Sequence, residues 1–163
     1  MACIRPYILF FMKKLLLTLL LLFPLVTYGA GEKPVKYKTL LSEAKAAIKN
    51  KRNQATAEKN LLDNVNRPDI KKDQRTDIYF MAQELERSQW EAENMKFYLK
   101  QPYDTTKFFS TILKMYESLL VCDSLDVLPN EKGLVSYKYR VKSREILLAY
   151  RPNLLNGGKF LLK

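Results

Sequence analysis

The chain contains no histidine in its 163 residues. That absence removes the commonest general base near neutral pH, the commonest metal ligand, and every Ser-His or Cys-His nucleophilic pair. Cysteine is nearly as scarce, with Cys3 and Cys122 the only two. Cys3 falls in the N-terminal leader described below, so Cys122 is alone in the rest of the chain and cannot form an internal disulfide. Its neighbours Leu119, Leu120 and Val121 imply a buried thiol. Strand-like alternation of useful length is also missing after the leader. These absences lead to an all-α domain held by packing alone, with no cofactor and no catalytic constellation.

Arg5, Lys13 and Lys14 are the only charges in the first 30 residues, and an apolar run follows from Leu15 to Val26, interrupted by Thr18 and Pro24. A dozen apolar residues is the length of a signal-peptide core and too short to cross ~30 Å of hydrocarbon. Thr27 and Gly29 then place small residues where a peptidase needs them, so residues 1–29 read as a signal peptide and 30–163 as the exported domain. Met12-Lys13-Lys14 is itself a natural start, which makes residues 1–11 a candidate mis-assigned beginning. The rival is an uncleaved anchor extended through Ile8–Phe11. It would hold Lys13 and Lys14 in the bilayer at roughly 2.5–3.5 kcal/mol each near the centre. No cysteine follows the apolar core, so a lipid anchor is not indicated.

After the leader, 25 bases face 17 acids, a net of +8. The charge is uneven: +5 over residues 32–52, −4 over 53–131 and +7 over 132–163. A nucleic-acid binder usually shows a continuous basic stripe. Two basic ends around an acidic middle fit a solvated surface better, with binding of a polyanionic glycan or lipid headgroup as the alternative.

Pro34, Pro68 and Pro102 are 34 residues apart at each step. Proline cannot continue a helix, so the three mark breaks between helical units, and a period of 34 is that of a helix-turn-helix repeat. At this offset Ala44 falls on Ile78 and Ile112, Ile48 on Ala82 and Tyr116, Leu61 on Met95, and Val65 on Leu99. Arg75 between Leu41 and Phe109, and Glu91 opposite Ala57, break the pattern. Each unit reads as two helices. The first offers Leu41, Ala44, Ala47 and Ile48, then Ala57, Leu61, Leu62 and Val65. The second offers Ile78, Met81, Ala82 and Leu85, then Trp90, Met95, Tyr98 and Leu99. The third opens at Asp104-Thr105 as an N-cap and carries Phe108, Phe109, Ile112, Leu113, Tyr116, Leu119 and Leu120. After a longer connection over residues 123–133, a two-faced helix is expected. It carries Val135, Tyr139, Ile146, Leu147 and Tyr150 on one face and Leu134, Tyr137, Val141 and Leu148 on the other. Pro152 is expected to start a fourth unit whose second helix is missing, so that the terminus resembles the middle of a longer array and leaves Leu154, Phe160 and Leu161 open to self-association.

The period, the boundary prolines and the columns Leu41, Ala44, Ile48, Ala57 and Leu61, with Leu154, Gly158 and Leu161 at the end, resemble the tetratricopeptide repeat (TPR). Tyr79 to Asp126 is also similar to secreted repeat proteins of Gram-negative bacteria. Lys45 stands where that family prefers glycine, and Arg75 where it prefers a large apolar residue. The resemblance implies antiparallel helix pairs stacked into a right-handed superhelix, about three pairs and the start of a fourth. It also implies a concave surface that docks protein segments, in the periplasm or envelope. Inward positions by this alignment are Ser42, Ala46, Thr76, Phe80, Ser110 and Lys114. Only Lys114 suits the carboxylate clamp of some members, so the clamp is not carried over. The expected partner contacts are Phe80, Gln83, Lys107 and Lys114.

Other motifs read structurally. Gly157-Gly158-Lys159 lacks the spacing of a phosphate loop and fits close helix packing. Glu84, Glu86, Glu91 and Glu93 scatter around a helix with no histidine beside them and read as a solvated face, and Asp123-Ser124-Leu125-Asp126 supplies too few oxygens for calcium. Tyr137, Tyr139, Arg140, Lys142 and Arg144 interleave aromatics and bases as a sugar-acid or nucleotide site would, but both tyrosines fit apolar stripes. Intact-mass analysis of the exported protein should give a chain that begins at Ala30. A mass that still includes residues 1–28 would refute the cleaved leader.

Overall fold

The computed structural model describes residues 35–162 apart from Ser136, so the leader lies outside the described residues. Among them are five α-helices and no strand: α1 Tyr37–Asn50, α2 Gln54–Asn64, α3 Lys72–Tyr98, α4 Thr105–Asp126 and α5 Arg140–Leu161. The chain starts its helices with local devices. Gln74 Oε1 accepts the Lys71 N–H at the head of α3 (2.9 Å), and Asp104 Oδ1 accepts the Lys107 N–H at the head of α4 (2.8 Å), the cap read from Asp104-Thr105. Left-handed residues separate the first two helices, Lys51 at φ 53° and Asn53 at φ 55°. Asparagine tolerates that region better than lysine does, and the turn reverses the chain in three residues.

Helices α1, α2 and α3 touch one another, α4 packs along α3, and α5 packs along α4. Two apolar clusters result. The first joins Leu40, Ala44, Ala47, Ala57, Leu61 and Val65 of the first pair to Ile78 and Leu85 of α3, with Ile70 from the connection. The second joins Trp90 of α3 to Phe108, Ile112, Met115 and Leu119 of α4, packed on their outer side by Ile146, Leu147 and Tyr150 of α5. The α3 helix therefore belongs to both.

The repeat columns divide at this point. Ala44, Ile78 and Ile112 are all fully buried, as the 34-residue overlay expects. Leu61 and Val65 are buried, whereas Met95 and Leu99 in the same columns are exposed. The reason is that the second unit is one helix and not two. From Lys72 to Tyr98 the chain has no glycine or proline, so nothing stops α3 where a hairpin was expected, and Met95, Tyr98 and Leu99 end on its free tip.

Two further expectations fail at the C-terminal end. Leu134, Val135 and Tyr137 precede α5 and are exposed, because that helix begins only at Arg140. Pro152 lies inside α5 and opens no new unit. An interior proline costs about 3 kcal/mol or more in a helix. Packing on both sides of it holds the helix together: Tyr150 sets its ring edge-on to Trp90 at 5.2 Å, and Phe160 stacks on Phe109 at 4.6 Å. Gly157 lets the two helices close, since a Cβ there would lie 3.2 Å from Ile112 Cγ2.

The start of α5 is fixed by a residue from another helix. Asp126, buried at the end of α4, accepts backbone N–H groups from Lys138 (3.0 Å), Tyr139 (2.8 Å) and Arg140 (3.0 Å). These are donors that a helix N-terminus cannot satisfy itself, and a carboxylate there also meets the positive end of the helix dipole. Asp126→Ala should destabilise the fold by about 1–3 kcal/mol, the penalty of leaving buried donors unpaired. Asp126→Asn, which keeps an acceptor, should lose less. Denaturant midpoints of the two variants check this order.

Candidate functional site

One stripe of α3 faces the segment that leads into α5. Asp77 accepts hydrogen bonds from Tyr37 Oη of α1, from Tyr139 Oη (2.9 Å) and from Lys138 Nζ, and so ties three separate parts of the chain. Burial and the Asp77 carboxylate raise Tyr37 well above its usual value and push Tyr139 up to about 12. Both phenols therefore stay protonated donors at neutral pH. One turn on, Phe80 is buried and stacks on Tyr139 with centroids 3.9 Å apart, and Lys142 Nζ lies 4.8 Å from the Phe80 ring. Further along, Glu84 binds Arg87 and Lys142, and Glu91 accepts from Arg87 (3.1 Å) and Tyr150 Oη (3.0 Å).

Another face of α3 meets α2 and α4. Glu58 of α2 accepts from Gln89 Nε2 (2.7 Å) and lies 3.6 Å from Lys114 Nζ of α4. Beside it Glu86 is almost wholly buried, with Ser118 Oγ donating to its Oε1 at 3.0 Å and its Oε2 unpartnered. Burial, then the charge of Glu58, pushes the Glu86 carboxyl up to about 8, against the Ser118 hydrogen bond and the Lys114 charge, with Glu117 adding to the rise. Glu86 is thus a neutral acid at pH 7. Glu93 goes the other way. Burial alone would raise it, but bonds from Lys96 (2.9 Å), Lys107 (3.2 Å) and the Asp104 N–H outweigh burial and lower it.

The four expected contacts fall into these seams and do not gather on one surface. Phe80 is covered by Tyr139 and Lys142, and Gln83 is fully buried with its Nε2 donating to Glu84 (2.7 Å). Lys107 and Lys114 are exposed on α4, held by Glu93 and Glu58 respectively. The sequence does not single out Asp77, and Glu86, Glu93 and Asp126, which read there only as a scattered acidic face and an insufficient calcium set, are buried. Of these, Glu86 had a signal: it sits eight residues after Ile78 and four after Ala82, within the apolar stripe. Asp77 and Asp126 act on residues 12 to 62 positions away and had none.

A concave site lies elsewhere, between the last turns of α1 and the first turns of α2, around the turn that joins them. It is an open groove of about 660 Å³ lined by Glu43, Ala46, Ala47, Asn50, Arg52, Asn53, Thr56, Ala57 and Asn60. Three alanines set its depth, and the side-chain amides of Asn50, Asn53 and Asn60 have no hydrogen-bond partner among the described residues. An amide offers a donor and an acceptor side by side, which matches the N–H and C=O pattern of an extended peptide. Ala46 is one of the inward positions that the repeat resemblance assigns. A smaller groove of about 330 Å³ at the head of α3 gathers Lys71, Lys72 and Lys132, with Lys71 bound to Glu131 and Lys72 to Asp73. Among the described residues no three His, Cys, Asp or Glu side chains are grouped to hold a metal, and no helix is long and apolar enough to cross a membrane.

No protein family, curated protein or solved structure matches the chain.

The buried acid has a consequence for pH. A raised folded-state value means that the stability Glu86 contributes is fully present below its ordinary 4.5 and is lost as pH rises through about 8. The fold should weaken across that window, and Glu86→Gln should flatten the dependence while leaving the low-pH stability nearly unchanged. Denaturant titrations on either side of the window measure the slope directly. An unchanged slope in the variant would show that another group carries it.

Proposed function

We propose that this chain is a non-enzymatic protein-interaction scaffold of TPR-like helical repeats, exported to the cell envelope of a Gram-negative bacterium. Its α1–α2 groove docks an extended segment of a partner protein. The observation that carries this reading is the groove itself, concave, with small apolar walls and three asparagine amides not engaged by neighbouring side chains. The mutual contact of α1, α2 and the first half of α3 supports the repeat reading, since a stacked pair followed by the next inner helix is the unit of such a solenoid.

Chemistry in place of binding has little to work with. The Cys122 thiol is buried, and burial followed by the Asp126 charge pushes it up to about 12, so it is no nucleophile at neutral pH. Binding of a polyanionic glycan or headgroup is weakened as a reading by internal pairing. Lys138, Arg140 and Lys142 of the basic C-terminal stretch already face Asp77, Asp123 and Glu84.

Asn50→Arg and Asn60→Arg would fill the groove from exposed, groove-lining helical positions without touching either core. Capture from Gram-negative envelope extract, with bound proteins identified by mass spectrometry, should recover a partner with the native chain and lose it with the double variant. Retention that collapses between ~50 and ~200 mM salt would instead mark a polyanion. Equal capture by both chains would remove the groove from the account.

A further inference from the structure

The outer face of α5 presents Val141, Leu148 and Leu155, and Leu162 follows at its C-cap, each seven residues after the last, with 70%, 71%, 57% and 90% of their surface exposed. The inner face of the same helix is occupied separately by Ser143, Ile146, Leu147, Tyr150 and Gly157, so these four are not stray core residues. The position three residues after each of the first three holds Arg144, Arg151 and Gly158. Arg144, Arg151 and the nearby Lys159 are exposed and have no carboxylate partner among the described residues, unlike Lys138 before the helix and Arg140 and Lys142 in its first turn. A Cβ at Gly158 would meet nothing within 4 Å, so another backbone can come close there.

We infer that this stripe is a docking seam for an acidic amphipathic helix of a partner protein. The seven-residue repeat is the spacing at which one helix follows another. On a straight helix such a stripe drifts by ~20° per heptad, and a second helix stays on it by wrapping with a left-handed supercoil. Charge complementarity selects the partner's sign. Arg144, Arg151 and Lys159 flank the seam, and Glu145 is the sole acid of α5, so glutamates beside the partner's apolar stripe would pair with them. A second copy of the same helix would bring these cations against their own kind. An anionic membrane surface would satisfy the charge but wants a broad apolar face, and one apolar residue per two turns is a narrow seam. The seam lies on α5, which has no helix contact with α1 or α2, so it stands whether or not the α1–α2 groove binds.

The test uses the full exported chain and a synthetic helical peptide with leucine at its seam positions and glutamate beside them. Controls are the same peptide with lysine for glutamate, and vesicles of phosphatidylglycerol. The glutamate peptide should bind at least ~10-fold more tightly than the lysine peptide, and Leu148→Glu with Leu155→Glu should weaken it by at least ~10-fold, the scale of losing a buried anchor. Because both leucines are exposed, the circular dichroism and melting temperature should not move. Arg144→Glu with Arg151→Glu should turn the preference toward the lysine peptide, a readout that a mere loss of folding cannot imitate. Three results overturn the inference. One is equal or absent binding of the two peptides. Another is vesicle binding that the leucine variant abolishes. The third is a concentration-dependent dimer that the same variant dissolves.

Discussion

Because α3 runs without a break from Lys72 to Tyr98, one helix has to serve two cores, and every other helix takes its place from it. At 1.5 Å per residue its 27 residues make it about 40 Å long. Ile78 and Leu85 anchor the first pair, and Trp90 anchors α4 and, through Tyr150, α5. Had the chain turned near Glu86, as the repeat period implies, the second half of the helix would have folded back. The two clusters would then have been joined by a loop. The unbroken helix instead makes the two clusters mechanically continuous.

That continuity explains which parts of the fold are legible in the sequence. Helical period is local, so most of the faces of α1, α2 and α4 can be read directly, and the Asp104 cap with them, although the period passes over the buried Leu40 and Met115 and takes in Leu120, which is exposed. The Ala44–Ile78–Ile112 column survives because α1, α3 and α4 start near the expected boundaries, whatever happens downstream in each unit. The Leu61–Met95 column fails because a period cannot show whether a hairpin is made or a helix simply continues. Only the absence of glycine and proline between residues 72 and 98 carried that information, and the proline spacing outweighed it. The reverse error occurs at Pro152. There a strong local breaker is overruled by packing of Tyr150, Gly157 and Phe160, contacts that no window of sequence contains.

The charge distribution is a second case in which a long-range pairing hides behind a simple tally. A basic C-terminal stretch and an acidic middle look like surfaces for external partners. In the fold they face one another, Lys138 on Asp77, Lys142 on Glu84 and Arg140 on Asp123, with side chains that remain partly exposed. Exposed pairs of this kind contribute only about 0–1 kcal/mol each. Their role is better seen as selection: they favour one placement of the segment entering α5 over others, and the Asp126 carboxylate then locks it by accepting three backbone donors. Within α5 itself, Arg144, Arg151 and Lys159 have no carboxylate partner among the described residues.

The middle of α3 shows what the long helix gives up. Gln83 Oε1, Glu86 Oε2, Arg87 Nε and Trp90 Nε1 are all buried without a partner within two turns of helix. Each such atom weakens the interior locally, by an amount that can reach ~1–3 kcal/mol. A seam tuned only for stability would be apolar there. Because α2 and α4 close over this polar stretch, it is where local opening is most readily tolerated, since buried contacts are poorest there. The two candidate docking surfaces sit on the helices at either end of that weak point, the amide-lined groove on α1–α2 and the apolar stripe on α5. They differ in chemistry, one suited to an extended backbone and the other to a helix, and two routes connect the helices that carry them: α3, which touches α1, α2 and α4, and the Glu58–Lys114 pair between α2 and α4.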